Sequence, residues 1–278
     1  MDCLYETRKI KGNFMSISDK KDLHNKIALV TGSNKGIGLE IGKTLYSNGA
    51  YVIFSNKQIN NLEITLNDLG YDSKRFSIIK MDVSDKNEII NGVESIIQSF
   101  GRIDILINNA GIDFISGFLD INDELWERIF NVNFWGTVWL TQLVIPIMKT
   151  NGGGKIINIS SQAGKFGEAF NSAYCATKFA IIGLTQSLAK EFAQFNISIN
   201  AICPGPVETE MFSEAIGKFS EIYRIPIENF RKQFLDNIPG KQLLYPTQIA
   251  SIVSFLASER SNGITGASIQ ITNGTTMW

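Results

Sequence analysis

An apolar run, three closely spaced glycines and an amphipathic stretch follow one another near the start of this chain. Residues 27–30 are all apolar, which is typical of a strand that is buried on both faces. Gly32, Gly36 and Gly38 allow a tight turn and a close approach of the backbone to a phosphate group. The helix predicted over 37–46 would direct its free N–H groups and its dipole at that anion. The Gly-x-x-x-Gly-x-Gly spacing differs from the Gly-x-Gly-x-x-Gly fingerprint, so an ordinary glycine-rich loop remains the alternative.

The remainder of the chain alternates short apolar runs with longer amphipathic stretches. Repeated strand–helix units predict an α/β protein in which parallel strands form one sheet with helices on both faces. We therefore expect a single-domain, Rossmann-like, doubly wound fold of about seven strands, with ligands bound outside the carboxyl ends of the strands. The further strands are predicted at residues 51–54, 76–80, 103–107, 155–160, 197–202 and 268–271, and helices at 59–69, 86–99 and as two long helices that flank Asn133.

Two side chains four residues apart form a second chemical signal. Tyr174 and Lys178 would share one face of a helix. A nearby ammonium lowers the pKa of a phenol from its usual value of about 10, and the phenol then serves as a general acid or base. Ser161 follows a predicted buried strand, where its hydroxyl could hold a substrate oxygen. A solvated pair on a helix surface is the alternative interpretation.

A series of short motifs runs in order along the chain: TGSNKGIG at 31–38, Asp82 with Val83, NNAG at 108–111, Asn133, Ser161, Tyr174 with Lys178, and PGPVET at 204–209. This ordered set resembles the short-chain dehydrogenase/reductase family, and the resemblance covers Asn25 to the C terminus. It implies that Tyr174 donates or accepts the proton and that Ser161 orients the substrate carbonyl. It also implies that Lys178 binds the nicotinamide ribose and lowers the pKa of Tyr174, while Asn133 supports a proton relay through water.

The same resemblance implies a nicotinamide dinucleotide bound at the carboxyl edge of the sheet. Asp82 and Val83 would flank the adenine, and residues 109–111 would line the ribose side. Asn108 is expected to tie strands together without touching a ligand. The whole expected cofactor set is Gly32, Ser33, Asn34, Lys35, Gly36, Ile37, Gly38, Asn56, Lys57, Asp82, Val83, Asn109, Ala110, Gly111, Tyr174, Lys178, Pro204, Gly205, Val207 and Thr209, of which Val207 and Thr209 would meet the carboxamide.

The choice between the two nicotinamide cofactors depends on the residues after the second strand. NAD-binding folds usually place an acid there to bond the ribose 2′-hydroxyl, but residues 55–57 contain none. Lys35 and Lys57 would suit a 2′-phosphate, and a basic residue at position 35 resembles NADP(H)-preferring family members. We therefore favour NADP(H). NAD(H) remains possible if both lysines are solvated and Asn56 bonds the hydroxyl.

The substrate side is expected to contain a long lid over about 209–245, which would exclude water from the pocket. Its length, residues 161–164 and the ending of the chain resemble the acetoin/diacetyl reductase and polyol dehydrogenase branch. That likeness implies a small ketone, diketone or polyol as substrate. Gln162 would lie beside the second substrate oxygen or, alternatively, cap a loop. The expected substrate-contacting residues are Ser161, Gln162, Tyr174, Gly205 and Phe212.

Two other functions are open at this point. A 3-oxoacyl-carrier-protein reductase would share the core motifs and would need basic residues, such as Lys149 and Lys155, to dock an acidic carrier. Gln194 and Phe195 stand where a further arginine is common in such enzymes, which weighs against that function. A dinucleotide-binding redox sensor without catalysis is the other alternative, although all four expected catalytic positions are filled.

Composition excludes several classes of protein. The net charge of −1 gives no reason to expect nucleic acid or an anionic membrane as a partner. The three cysteines do not form a disulfide framework, which predicts a cytoplasmic protein, and Cys175 is expected to be a small buried filler. His24 is the only histidine, which argues against a Ser-His-Asp hydrolase and against a zinc site. No metal is therefore expected.

Three segments carry predictions about the rest of the molecule. Residues 1–24 are polar and are expected to form a flexible extension of a domain that spans 25–278. Residues 129–148 are apolar but contain polar side chains and a proline, which favours a buried helix over a membrane span. Family resemblance suggests a homotetramer, or a homodimer, built partly from the Tyr174 helix through apolar surface at Phe179, Ile181, Ile182 and Leu184.

Overall fold

The computed structural model describes residues 22–277, which form a single seven-stranded parallel sheet with helices on both faces. The strands lie in the order β3-β2-β1-β4-β5-β6-β7. This confirms the predicted Rossmann-like, doubly wound fold. The strands are β1 Ile27–Thr31, β2 Tyr51–Asn56, β3 Phe76–Lys80, β4 Ile105–Asn108, β5 Gly154–Ile159, β6 Ile197–Pro204 and β7 Ser268–Ile271. The α-helices are α1 Gly36–Ser47, α2 Leu62–Asp68, α3 Lys86–Phe100, α4 Asp123–Phe130, α5 Gly136–Thr150, α6 Ser172–Phe192, α7 Glu210–Tyr223, α8 Ile227–Asn237 and α9 Pro246–Ala257.

Two hydrophobic cores lie on opposite faces of the sheet because successive side chains of a strand point in opposite directions. Val30 of β1 belongs to the core that contains Ile41 of α1 and residues of α9. Leu29, its neighbour in sequence, belongs to the other core with Val93 of α3 and Val144 of α5. Both sides of each central strand are therefore covered, which explains the continuous apolar runs in the sequence.

The strand order reverses between β1 and β4, which pair in parallel although β2 and β3 lie between them in sequence. In an open α/β sheet, the crevice outside such a reversal is the usual position of a ligand. The carboxyl ends of β1, β4, β5 and β6 all meet at this edge of the sheet. The fold therefore brings the expected cofactor and catalytic motifs to one crevice.

Asn133 does not lie between two separate long helices, as the sequence had suggested. It lies in a π-helical turn, Asn131–Trp135, that joins the short α4 to α5 in one helical segment. Its side chain bonds the backbone of Ile112 on a neighbouring loop. A π-turn widens a helix locally and is frequent at functional sites.

The start of the second helix and the start of the packed domain both differ from the prediction. The second helix begins at Leu62 instead of residue 59, since Asn61 adopts a left-handed conformation with φ of 67°. Residues 1–21 of the predicted flexible extension lie outside the described residues. Leu23, however, is 1% exposed and donates its backbone N–H to the Asn48 carbonyl oxygen over 3.0 Å. The packed domain therefore begins before Asn25.

The expected apolar surplus on the Tyr174 helix is smaller than predicted. Ile181 and Ile182 are buried within this chain, and Leu184 is half-buried. Phe179 alone among the four is clearly exposed, at 46%. Ile181 and Ile182 face the body of their own domain because α6 packs closely on β6. Within residues 22–277, none of the helices combines the length and hydropathy that crossing a bilayer requires.

Candidate functional site

Lys178 lies at the centre of the expected catalytic group and is 4% exposed. Its Nζ donates a hydrogen bond of 2.9 Å to the carbonyl oxygen of Ile159, the last residue of β5. The same Nζ lies 5.4 Å from the centre of the Tyr174 ring. The Ser161 side chain lies close enough to the Tyr174 phenol to favour its ionised form. The structure thus brings together the three side chains that the sequence had predicted to share one site.

Close packing between α6 and the loop after β5 holds these side chains in place. Ser160 donates its hydroxyl to the Lys178 carbonyl oxygen over 2.9 Å. A Cβ on Gly164 would lie 2.7 Å from that same carbonyl oxygen, so only glycine permits this approach. Ser161 accepts the backbone N–H of Ala163 over 3.1 Å, which turns the chain away from the strand. The Tyr–Lys pair on the helix is therefore anchored against the strand end that precedes Ser161.

Asn133 connects the loop after β4 to α6. Its Oδ1 accepts the Ile112 backbone N–H over 2.8 Å, and its Nδ2 donates to the Ile112 carbonyl oxygen over 2.9 Å. The same Nδ2 also donates to Thr177 over 3.2 Å. A Cβ on Gly111 would lie 3.4 Å from Asn133 Oδ1 and 3.6 Å from Lys178 Nζ. All four expected catalytic residues therefore border one region, with Asn133 engaged in holding its walls.

Burial governs the protonation of the two titratable groups in this region. It raises the pKa of the Tyr174 phenol, and the negative charge of Asp113 raises it further. It lowers the pKa of Lys178 to about 8, an effect that Asp113 partly opposes. In this structure the net shift of the Tyr174 pKa is therefore upward, whereas the sequence had predicted a lowered value. The reason is that removal from water disfavours the charged forms of both groups.

Two carboxyl groups near Tyr174 were missed by the sequence reasoning. Asp113 and Glu168 both act on the Tyr174 phenol through their charge. Burial raises the pKa of Asp113 from 3.8 to about 6, and Glu168 adds to that rise. Asp113 follows Gly111 by two residues, and Glu168 lies between Ser161 and Tyr174. Their position beside motif residues was the one signal that could have indicated them.

The raised pKa of Asp113 leads to a stability prediction. A carboxyl group that binds its proton more tightly in the folded state stabilises the fold at low pH, and this contribution is lost as the pH rises from about 4 through about 6. Asp113→Asn removes the buried charge, so we expect it to raise the free energy of unfolding by about 1–3 kcal/mol at pH 8. At pH 5 the gain should be smaller. Denaturant unfolding at both pH values measures the difference.

Asp120→Asn serves as the control for that measurement, because Asp120 lies on the same loop and is exposed. It should change the free energy of unfolding by less than about 0.5 kcal/mol at either pH. A stability of Asp113→Asn that equals wild type at pH 8 would contradict the prediction.

The glycine-rich turn after β1 leaves no room for a Cβ at two of its glycines. Gly32 has φ of 60°, and a Cβ there would lie 2.8 Å from the Ala110 Cα. A Cβ on Gly38 would lie 2.2 Å from the Gly32 carbonyl oxygen and 2.4 Å from Asn109 Nδ2. Asn109 Nδ2 in turn donates to the Thr31 and Gly32 carbonyl oxygens. This exposed backbone at the start of α1 fits the phosphates of a dinucleotide.

Asn108 behaves as predicted, since it ties strands together. Its Nδ2 donates to Asn158 Oδ1 over 2.9 Å, which joins β4 to β5, and to Thr141 over 3.2 Å. Asp82 is also held by its own loop, where its Oδ1 accepts the Ser84 hydroxyl over 2.7 Å. Val83 is buried beneath Gly136 of α5. These residues shape the crevice on the side where the adenine is expected.

The basic residues expected near a 2′-phosphate differ in their surroundings. Lys35 forms an ion pair with Glu210 at the start of α7, and both side chains are exposed. Lys57 is exposed after β2, while Asn56 donates its Nδ2 to the Gln58 carbonyl oxygen over 2.7 Å. The glycine-rich turn is therefore linked to the predicted lid through the Lys35–Glu210 pair. This contact between distant segments was not predicted.

Gln162 is bound on both sides of its amide by other parts of the chain. Its Nε2 donates to Glu168 over 3.1 Å, and its Oε1 accepts the Thr275 hydroxyl over 2.8 Å. A Cβ on Gly205 would lie 3.1 Å from Gln162 Oε1, so these two expected substrate residues adjoin. The contact of Gln162 with a substrate oxygen stays a prediction.

The predicted lid consists mainly of α7 and α8, which pack through aromatic rings. Phe212 and Phe234 have ring centres 5.4 Å apart, and Arg231 lies over the Phe212 ring. The segment that leads to the lid runs from Pro204, the last residue of β6, through the buried Val207. Thr209 caps α7 by accepting the Phe212 backbone N–H over 3.3 Å.

Comparison with known proteins agrees with this geometry. Residues 26–218 match the family model described as short chain dehydrogenase. The chain is 34% identical to 3-oxoacyl-[acyl-carrier-protein] reductase of Thermotoga maritima, with 91% of this chain and 98% of that protein covered. It is also 34% identical to galactitol 2-dehydrogenase of Agrobacterium fabrum, with 92% and 99% covered.

Among solved structures, a variant of actinorhodin polyketide ketoreductase with NADPH superposes with a TM-score of 0.87 at 28% sequence identity. The alignment covers 93% of this chain and 99% of that protein. The similarity therefore extends over nearly the whole length of both chains. On the strength of the family match and of these relatives, the chain belongs to the short-chain dehydrogenase family of oxidoreductases.

Proposed function

We propose that the protein transfers hydride between NADP(H) and a small ketone, diketone or polyol, with Tyr174 exchanging the proton. The meeting of Tyr174, Ser161 and Lys178 at the end of β5 is the observation that carries this proposal. The nicotinamide, when bound, supplies or accepts the hydride.

Ser161, Tyr174 and Lys178 would have different roles at the substrate oxygen. Ser161 would hold the carbonyl oxygen by a hydrogen bond, and the Tyr174 hydroxyl would give it the proton as hydride reaches the carbon. Burial keeps Tyr174 protonated before reaction, so the phenol holds the proton that it would donate. Lys178 has a pKa of about 8 and is mainly charged at neutral pH, so it would stabilise the phenolate left after proton transfer.

The cofactor preference rests on charge near the glycine-rich turn. Residues 55–57 supply no acid for a ribose 2′-hydroxyl, and Lys35 stands at the turn itself. NAD(H) is the alternative. If Lys35 binds a 2′-phosphate, it must exchange Glu210 for that phosphate. The pair with Glu210 would then couple cofactor binding to the first turn of the lid.

We expect Lys35→Ala to raise the KM for NADPH by about tenfold or more, because the substitution removes a charged donor to the 2′-phosphate. The KM for NADH should change by less than about twofold. Glu210→Gln should act in the opposite direction and lower the KM for NADPH, because Lys35 would no longer be paired with a carboxylate. Lys43→Ala is the matched control, since Lys43 pairs with Glu40 further along α1. Equal losses for both cofactors in Lys35→Ala would exclude this role for Lys35.

The names of two relatives support the proposed substrate class. One relative is named as a galactitol dehydrogenase and another, 32% identical, as a sorbitol dehydrogenase, which supports an alcohol or ketone with several oxygens. The expected lid over 209–245 would close such a pocket. We propose that residues 25–278 form the working domain together with the buried Leu23.

Reduction of diacetyl and acetoin by the purified protein, with NADPH and NADH side by side, tests the proposal. Turnover with a preference for NADPH is the expected result. No turnover with either cofactor would overturn the proposal of a small-ketone substrate and would favour acyl-carrier thioesters. Against that alternative, Lys155 donates to Asn262 over 2.9 Å, and Lys149 lies 3.9 Å from the centre of the Phe195 ring. Both lysines therefore already have partners within the chain.

We infer a homotetramer or homodimer, in which α6 contributes to a subunit contact. The exposed Phe179 on that helix supports this inference. Sedimentation or light scattering measures the size of the assembly, and Phe179→Lys should reduce it.

A further inference from the structure

We propose that Asp113 and Glu168 form a hydrogen-bond-accepting wall beside the reacting phenol, which selects substrates with a second hydrogen-bond donor and rejects carboxylate substrates. The donor would be a hydroxyl or an ammonium group next to the reacting carbon. This inference rests on the proposed function, because it assigns the substrate class of the same site.

Asp113 is placed beside the reaction centre by the loop that follows β4. Asn133 holds the backbone of Ile112, the preceding residue, through two hydrogen bonds. The Asp113 carboxylate accepts the Phe114 backbone N–H over 2.7 Å. Its charge acts on both the Tyr174 phenol and the Lys178 ammonium. A Cβ on Gly111, two residues before Asp113, would lie 3.6 Å from Lys178 Nζ, so the Asp113 loop borders the region in which the substrate would react.

Glu168 belongs to the loop between Ser161 and α6, on the other side of Tyr174. Its carboxylate accepts Gln162 Nε2 over 3.1 Å and Asn171 Nδ2 over 3.4 Å. Ser116 donates its backbone N–H to the Phe170 carbonyl oxygen over 2.8 Å, which joins the Glu168 loop to the Asp113 loop. The two carboxylates consequently lie on loops that are bonded to each other.

Asn171 lies between these loops and shows which kind of group the wall would accept. It is 2% exposed, its Nδ2 donates to Glu168 over 3.4 Å, and its side chain also lies near the Asp113 carboxyl group. Within residues 22–277, its Oδ1 has no hydrogen-bond partner. A buried acceptor without a partner is costly, and a donor on a ligand would satisfy it. The carboxylates and this amide oxygen all require donors.

The balance of charge points to the same selectivity. Lys178 opposes the charge of Asp113, but its Nζ is bonded to the Ile159 carbonyl oxygen and is expected to bind the ribose. A carboxylate on the substrate would therefore meet like charge.

Three ketones of nearly equal size separate these effects: hydroxyacetone carries a hydroxyl donor, butanone an alkyl group and pyruvate a carboxylate. We would measure kcat/KM for each ketone with wild type, Asp113→Asn and Glu168→Gln. Wild type should favour hydroxyacetone over butanone by about tenfold or more, and over pyruvate by more than that. Aminoacetone in place of hydroxyacetone shows whether an ammonium donor is preferred to a hydroxyl.

Asp113→Asn should lower the hydroxyacetone/butanone ratio and raise the pyruvate/butanone ratio, each by about tenfold. Asp120→Asn removes an exposed carboxylate from the same loop and should leave both ratios unchanged. A general loss of activity through misfolding would lower all three rates together, so the ratios isolate the role in selection. Unchanged ratios in both Asp113→Asn and Glu168→Gln would overturn this inference alone. If wild type reduced none of the three ketones and did not reduce diacetyl, although fluorescence showed that it binds NADPH, the proposed function and this inference would both be overturned.

Discussion

Replacing Tyr174 with phenylalanine is expected to lower kcat by about a thousandfold or more while NADPH affinity stays within about twofold of wild type. The phenylalanine ring retains the packing against Lys178 but has no hydroxyl to protonate the substrate oxygen. General acid catalysis contributes on the order of a hundredfold to ten-thousandfold.

Steady-state ketone reduction and NADPH fluorescence titration measure the two quantities separately. Tyr71→Phe is the matched control: it deletes one hydroxyl from a tyrosine that stacks on Tyr46, away from the crevice, with ring centres 4.0 Å apart. It should retain near-normal turnover. If Tyr174→Phe kept a tenth or more of wild-type kcat, another group would have to supply the proton.

Gly38→Ala is expected to weaken NADPH binding by about tenfold or more and to lower the free energy of unfolding by roughly 2–3 kcal/mol. The added Cβ would lie 2.2 Å from the Gly32 carbonyl oxygen and 2.4 Å from Asn109 Nδ2. Neither neighbour can move freely, because Asn109 is bonded to Thr31 and Gly32 over about 3 Å. The turn that fits the phosphates must therefore shift.

Gly217→Ala provides the comparison, since Gly217 is a helical glycine of α7 with no atom within 4 Å of an added Cβ. Alanine there should leave NADPH binding unchanged and stabilise the helix by up to about 1 kcal/mol. Denaturant unfolding and fluorescence titration of both variants give the test. Wild-type cofactor affinity in Gly38→Ala would show that the turn does not contact the dinucleotide.

Much of the fold could be predicted because its signals are local. Strands buried on both faces must be continuously apolar, and helices between them must show one apolar face, so alternation along the chain implied the parallel sheet. The four-residue spacing of Tyr174 and Lys178 is likewise a local property of a helix. The role of Asn108 in joining β4 to β5 was also confirmed.

Several of the differences share a cause, which is that each depends on a contact between distant segments. The π-turn around Asn133 goes with its bonds to Ile112, and the burial of Ile181 results from the packing of α6 on the sheet. The pKa of Tyr174 was expected to fall, but its burial raises it. Burial is set by how the domain closes around the helix, which no spacing of residues reveals.

The doubly wound sheet and the glycine-rich turn were predictable from local hydrophobic periodicity and from the backbone freedom of glycine. The family was predictable from the ordered motifs. The Lys35–Glu210 pair and the influence of Asp113 and Glu168 on Tyr174 became evident from the three-dimensional arrangement. The paths of loops set these contacts, because loops join segments that carry no shared periodicity. Substrate choice in this protein is therefore argued from tertiary contacts, whereas its reaction class is already evident in the sequence.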